Sequence, residues 1–170
     1  MAPLEALDPP LNVVLHRPEI PPNTGNVARL CACTGSRLHL VGPLGFSIDD
    51  KHLKRAGLDY WDKVFVATYA SLDEVIAAHP AAGVHLFSAR AGRSLWEVSF
   101  APGDLLVFGT ESTGLPREIL ERWHERRVAL PMRPGLRSLN LSSTVAAAVY
   151  EALRQNAGPG RTPPGVTGCT

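Results

Sequence analysis

The chain has 170 residues, of which 45% are hydrophobic and 19% charged, and a formal net charge of +1. This length suits one domain that can bury its own core, and the composition is that of an ordinary soluble globular protein. The near-neutral charge excludes a broad electrostatic coat for nucleic acid but not a local cluster of cations, and no apolar run approaches the ~20 residues of a membrane-spanning helix.

In chain order, MAPLEALDPP lacks the basic and apolar regions of a secretory signal, and residues 1–10 are expected to form a disordered extension. Leu11–Leu15 predicts a first strand, followed by the proline-rich loop Arg17–Pro22. A helix is expected from about Gly25 to Thr34, with Asn23 or Thr24 as N-cap and Gly35 as its stop. On that helix Cys31 and Cys33 point to different faces and cannot share a metal or a disulfide. With Cys169 they make an odd count without C-x-x-C, so Cys31 and Cys33 read as small buried hydrophobes and the compartment as reduced and cytoplasmic. Leu38–Val41 predicts a strand, Asp49–Ala56 a short basic helix ending at Gly57, and Val64–Ala67 another strand. Ser71-Leu72-Asp73-Glu74 is a capping box opening a helix that stops before Pro80. Val84–Ser88 and Leu105–Phe108 read as buried strands, Pro116 suits the first turn of a helix over Arg117–Trp123, and Val128–Leu130 closes the strand series. The final helix, about Ser142–Gln155, carries Ala146, Ala147 and Ala148, which let another backbone come close inside the fold or across a dimer. Residues 157–170 are rich in Pro, Gly and Thr and are expected to be a disordered tail. Strands alternating with helices predict an α/β fold, a mostly parallel sheet with flanking helices, as a single domain over residues 11–156.

In an open parallel sheet, ligands bind outside the carboxyl ends of the strands. Three segments rich in polar, Gly and Pro residues are expected there: Pro21-Pro22-Asn23-Thr24-Gly25-Asn26-Val27-Ala28-Arg29, Val107–Pro116, and Leu130-Pro131-Met132 running into Arg137-Ser138-Leu139-Asn140-Leu141-Ser142. The second has the G-x-x-x-x-G spacing of a phosphate loop but continues Leu115-Pro116 rather than Lys-Ser/Thr. Glu111 also puts a negative charge where phosphates would sit, and like charges at ~4 Å repel by about 1 kcal/mol even in water. A nucleoside triphosphate is therefore strongly disfavoured. A dinucleotide is disfavoured because no G-x-G-x-x-G follows the first strand. Two readings of this loop remain: close backbone contact with a ligand that has a positive centre, or a plain strand-to-helix turn with Glu111 near a helix N-terminus.

Taken together, Asn23-Thr24-Gly25-Asn26-x-x-Arg29, Phe108-Gly109-x-Glu111-x-x-Gly114-Leu115-Pro116 and Leu130-Pro131-Met132…Ser138-Leu139-Asn140-Leu141-Ser142 resemble the three motifs of the SpoU-type methyltransferases of the SPOUT superfamily. Pro18-Glu19-Ile20-Pro21-Pro22-Asn23, Arg55-Ala56-Gly57-Leu58-Asp59-Tyr60 and Val149-Tyr150-Glu151-Ala152-x-Arg154-Gln155 are similar to the TrmL (YibK-like) group within it, and the likeness spans roughly Leu11–Gln155. The resemblance implies a C-terminal trefoil knot and a homodimer. It implies an enzyme that uses S-adenosyl-L-methionine to methylate the ribose 2′-hydroxyl of the wobble cytidine or uridine of tRNA. By position it puts the cofactor at or near Ser88, Gly109, Leu130, Met132 and Ser138, several of them through the main chain. Thr110 and Thr113 stand where relatives often have Pro and Arg, and Ser143 where Asn is common.

The same resemblance makes Arg29, Glu111 and Asn140 the catalytic candidates. Arg29 is a poor literal base but a fixed cation that can stabilise a developing alkoxide or hold the adjacent phosphate. Glu111 is expected to orient Arg29 or a loop amide. Asn23 serves as helix N-cap, as ribose contact, or as both. Substrate contacts fall to Asn23, Arg17, Lys54 and Arg55, with Lys51, Arg133 and Arg137 beside them, and Tyr150 suits the dimer interface. No histidine spacing calls for a metal. A knotted RNA-binding module without catalysis, a ribose methyltransferase of another RNA site, and a nucleotide-dependent oxidoreductase are the rival readings.

Overall fold

The computed structural model describes residues 7–46, 63–89 and 92–156. Seven strands, β1 (Asn12–His16), β2 (Arg37–Val41), β3 (Val66–Tyr69), β4 (Val84–Phe87), β5 (Arg93–Ser94), β6 (Leu105–Phe108) and β7 (Arg127–Ala129), form one sheet in the order β3-β2-β1-β6-β4-β7-β5. Every pairing is parallel. The runs NVVLH, VHLF and LLVF of β1, β4 and β6 are buried at every position, as strands covered on both faces must be. Among the described residues four helices cover them: α1 (Pro21–Thr34), α2 (Leu72–Ala78), α3 (Arg117–Arg122) and α4 (Leu141–Asn156).

Strand alternation divides the core in two. Val13, Leu15, Leu106 and Phe108 pack with Val27, Ala28 and Cys31 of α1 and with Val145, Ala148, Val149 and Ala152 of α4. Val14, Leu105 and Val107 pack on the other face with Leu72 and Val75 of α2, against which Ile119, Leu120 and Trp123 also lie. Of the three alanines expected to allow a close approach, Ala148 is buried in the core, Ala146 is half-buried on the α4 side of a hollow beside α1, and Ala147 is exposed. Leu7 also packs against the first cluster.

Buried polar groups sit where partners meet them. Asp104 accepts from Gly83 N at 2.8 Å, Ala101 N at 2.9 Å and His85 Nε2 at 2.8 Å. Burial alone would raise its pKa, but these hydrogen bonds and the nearby imidazole bring it below the usual carboxylate value. Asn12 donates from Nδ2 to Gly103 O at 2.8 Å, so its Oδ1 accepts from His39 Nε2 at 3.0 Å. His39 Nδ1 is then a buried lone pair without a partner.

The strands match the sequence reading to within two residues, the largest shift being β3, which starts at Val66 rather than Val64. Arg93–Ser94 and the following single 3-10 turn, Leu95–Glu97, had no counterpart in the sequence reading. Helix α1 starts four residues early because Pro21 and Pro22 take its first turn, where a missing N–H costs nothing. Its N-cap is therefore Ile20, and neither Asn23 nor Thr24 caps it. Gly35 ends it in the left-handed conformation at φ 69°, as expected. Cys31 is buried and its thiol is pushed up to about 12 by burial, whereas Cys33 is exposed, which corrects its reading as a buried hydrophobe. The basic helix expected at Asp49–Ala56, with Lys51, Lys54 and Arg55, lies outside the described residues, as do Cys169 and the tail.

Candidate active site

Strands β1 and β6 are neighbours at the middle of the sheet, and the chain winds outward from them in opposite directions. Ligands bind at such a switch point, beyond the carboxyl ends of the strands. Arg17 follows β1 directly and adopts φ 53°, a left-handed conformation costly for a side-chain-bearing residue. Its N–H is held by Val41 O at 2.8 Å, so the strained turn is fixed to the end of β2.

From there the loops after β1 and β6 exchange carboxylates. Glu111 accepts from Glu19 N at 2.8 Å and Ile20 N at 3.2 Å, and its Oε1 also takes Asn23 Nδ2 at 3.0 Å. Glu19 in turn accepts from Ser112 N at 3.1 Å and Ser112 Oγ at 2.9 Å. Asn140 Nδ2 donates to Asn23 Oδ1 at 3.1 Å. The Asn140 Oδ1 caps α4, accepting from Ser142 N at 2.9 Å and Ser142 Oγ at 2.7 Å. Asn23, Glu111 and Asn140, expected to lie together, thus form one hydrogen-bonded chain joining the three motif segments. Loop amides, one of the two partners expected for Glu111, are among the groups it holds. Glu19 and Ser112 are site residues that the sequence reading missed; Glu19 lay within a quoted motif, but nothing local tells that its partner is 93 residues away.

The β6 loop is closed by its own backbone. A Cβ added to Gly109 would meet Gly114 C at 2.0 Å and Leu115 N at 2.1 Å. Thr110 N donates to Gly114 O at 3.2 Å and Gly114 N to Thr110 O at 3.0 Å. The hydroxyls of Thr110 and Thr113 lie 2.9 Å apart and brace the turn. Gly114 takes φ 76°, and an added Cβ there would meet nothing within 4 Å, so its outer side faces open space.

Ser88, Gly109 and Leu130 each stand one residue beyond the ends of β4, β6 and β7, which are adjacent in the sheet. Their main-chain groups therefore run side by side along one edge, with half-buried Leu130 providing apolar ground on the α1 and α4 face. In the first turn of α1, at that edge, Thr24 Oγ1 is buried without a hydrogen-bond partner. Main-chain donors and acceptors, apolar backing and an orphaned hydroxyl fit a nucleoside-bearing ligand that is recognised through its edges. Met132 is half-buried, and Arg133, Arg137 and Ser138 are exposed, all on the segment between β7 and α4.

Arg29 is exposed two turns along α1 and lines a hollow of about 390 Å3 between α1 and α4, with Asn26, Cys33, Ser142, Ser143 and Tyr150. It therefore lies on the α4 side of the Asn23–Asn140 link. Lys54 and Arg55 lie outside the described residues.

The chain belongs to the SpoU rRNA Methylase family, whose model matches residues 10–150. It is 53% identical over 147 residues to a tRNA (cytidine(34)-2'-O)-methyltransferase of Burkholderia ambifaria, covering 85% of this chain and 94% of that protein. A structure solved for insight into the 2-OH methylation of C/U34 on tRNA superposes with a TM-score of 0.83 at 49% identity, covering 88% of this chain and 97% of the other. A putative RNA methyltransferase from Bacillus anthracis superposes with a TM-score of 0.80 at 44% identity, covering 89% and 98%.

Proposed function

We propose that the protein is an S-adenosyl-L-methionine-dependent methyltransferase that modifies the ribose 2′-hydroxyl of cytidine or uridine at the wobble position of tRNA. The observation that carries this reading is the Asn23–Glu111–Asn140 chain, which locks the three motif loops at the edge where Ser88, Gly109 and Leu130 run side by side. The relatives that act on nucleotide 34 of tRNA, similar over most of both chains, support the substrate.

Ser88, Gly109, Leu130, Met132 and Ser138 hold the cofactor in this reading, largely through main-chain groups. When bound, S-adenosyl-L-methionine supplies a methyl group activated on a sulfonium. The chain's own residues provide placement and charge. Asn23, fixed at both ends of its amide, holds its segment of α1 against the β6 loop. Glu111 is a positioning residue, because both its oxygens are spent on loop donors. Arg29 offers a cation in the hollow beside Ser142 and Ser143, suited to the phosphate next to the reacting ribose or to negative charge growing on its oxygen. Holding both partners in reacting geometry is expected to supply much of the acceleration. Arg17, Lys54 and Arg55 complete the contacts to RNA.

Three further features belong to the same reading. The segment between β7 and α4 passes through the preceding loop as a trefoil knot, which is consistent with α4 packing back onto α1 and β1. Two copies associate, with Tyr150, 54% exposed beside the α1–α4 hollow, at their interface. Residues 11–156 form the single catalytic domain of a cytoplasmic enzyme; no described helix is long and apolar enough to cross a membrane. The deciding experiment is transfer of a radiolabelled methyl group to total tRNA followed by mapping of the modified nucleotide. Label at a 2′-oxygen of nucleotide 34 is the expected result; absence of incorporation with any tRNA overturns the assignment.

A further inference from the structure

A second hollow, of about 210 Å3, opens at the same carboxyl edge but on the other face of the sheet. His16, Arg17, Ser71, Asp73, Arg122 and Trp123 line it, and Leu72 and Ile119 give it apolar walls. His16 closes β1, and alternation turns its ring to the face of Val14, toward α2 and α3. The residue is 4% exposed, and its Nδ1 has no hydrogen-bond partner. Burial, and then the neighbouring Arg17 guanidinium, hold its pKa below the usual histidine value. The ring is therefore neutral near pH 7 and carries one donor and one acceptor.

The polar wall opposite carries an exposed ion pair. Arg122 Nη1 lies 2.9 Å from each carboxylate oxygen of Asp73, and its guanidinium sits 5.6 Å from the centre of the Trp123 ring. Ser71 Oγ accepts from Glu74 N at 3.3 Å and caps α2, which leaves its O–H free to donate. Arg17 sits at the rim on its strained backbone. The carboxylates of Asp73 and Glu118 oppose a purely anionic ligand. A flat aromatic with donors and acceptors on its edge matches the whole set, as unstacked RNA bases do when they meet aromatic and Arg planes.

We propose that this hollow receives an unstacked base of the substrate RNA, its face against the Arg122–Trp123 pair and its edge read by His16 and Ser71, while Arg17 meets the attached phosphate. The inference rests on the reading of the protein as an RNA methyltransferase and names a base subsite for it, on the sheet face opposite the α1–α4 hollow.

His16→Phe fills the same space without hydrogen bonding, whereas His16→Gln restores a donor and an acceptor. Binding of unfractionated tRNA by fluorescence anisotropy tests the subsite independently of catalysis, with KM for tRNA measured in parallel. His16→Phe and Trp123→Leu are each expected to weaken tRNA binding about tenfold, and His16→Gln to recover most of the loss. The Kd for S-adenosyl-L-methionine is expected to stay within twofold. Thermal unfolding identifies any variant that has lost its fold, and His16→Phe and Trp123→Leu report separately. Unchanged tRNA affinity in a folded His16→Phe or Trp123→Leu protein overturns the proposal, as does equal weakening of tRNA and cofactor binding. Normal methyl transfer with unchanged affinity would sink the subsite alone, whereas tRNA binding without any methyl transfer would sink the assigned reaction alone.

Discussion

Arg29 and Glu111 separate two kinds of contribution at the residue scale. Arg29 is exposed on α1 and faces the hollow beside α4, so replacing it leaves the core untouched. Arg29→Ala is expected to lower methyl transfer at least ~100-fold, the scale of losing one charge-stabilising group, with cofactor Kd within twofold. Steady-state rates and isothermal titration check this, and near-normal activity refutes the role. Glu111 acts through others. Glu111→Gln turns an amide N–H2 toward donors that now find a carboxylate, at a cost of about 1–3 kcal/mol for unmet polar groups. The expected outcome is a lower unfolding midpoint together with slower methyl transfer. A variant equally active and equally stable would remove Glu111 from the site. The sequence reading offered a loop amide as one partner of Glu111, but not which one, because the amides it holds lie 91 and 92 residues earlier and no local spacing marks them.

Among the elements, the strands were legible because burial on both faces writes continuous apolar runs, as in LLVF of β6. The two-residue β5 is too short to write any pattern. The start of α1 was misread for a physical reason. Asn23 carries the composition of an N-cap, but its amide is drawn into contacts with Glu111 and Asn140, and two prolines begin the helix instead. The β6 loop was legible as a close-approach motif, yet what approaches Gly109 is the Gly114–Leu115 peptide of the same loop. Gly109→Ala places a methyl 2.0 Å from backbone, where no flexible side chain can yield. The loop must open, and the loss is expected to exceed ~2 kcal/mol by calorimetry, accompanied by loss of cofactor binding. Wild-type stability in that variant would show that the loop closes differently.

At the scale of the whole molecule, buried titratable groups shape the response to acid, and among the described residues His39 and His16 both resist protonation in the folded chain. His39 is pushed down to about 4 by burial first, then by His79 and Arg37. Between about pH 6.5 and 4 the unfolded chain takes up a proton that the folded chain refuses, so stability is full above that window and falls as pH drops through it. The full effect is on the order of 3 kcal/mol for a shift from 6.5 to about 4. Asp104, held below its usual value, works at lower pH: its contribution is present above the unfolded carboxylate pKa and is lost as pH falls through the folded one. Urea midpoints from pH 7 to pH 4 are expected to decline in wild type and to decline less steeply in His39→Gln, in which His16 still contributes. Equal slopes in the two proteins would refute this assignment.

The paired carboxylates that tie the loops after β1 and β6 also bear on how the chain can change over generations. Each loop supplies an acid to the other's amides, Glu19 to Ser112 and Glu111 to Glu19 and Ile20, so neither is free to drift alone. Positions 19, 111 and 112 are therefore expected to be constrained as a unit: a substitution in one loop sets the conditions for what the other can accept. Among related sequences these positions should change together, and a swap of one loop between homologues should succeed only when its partner travels with it.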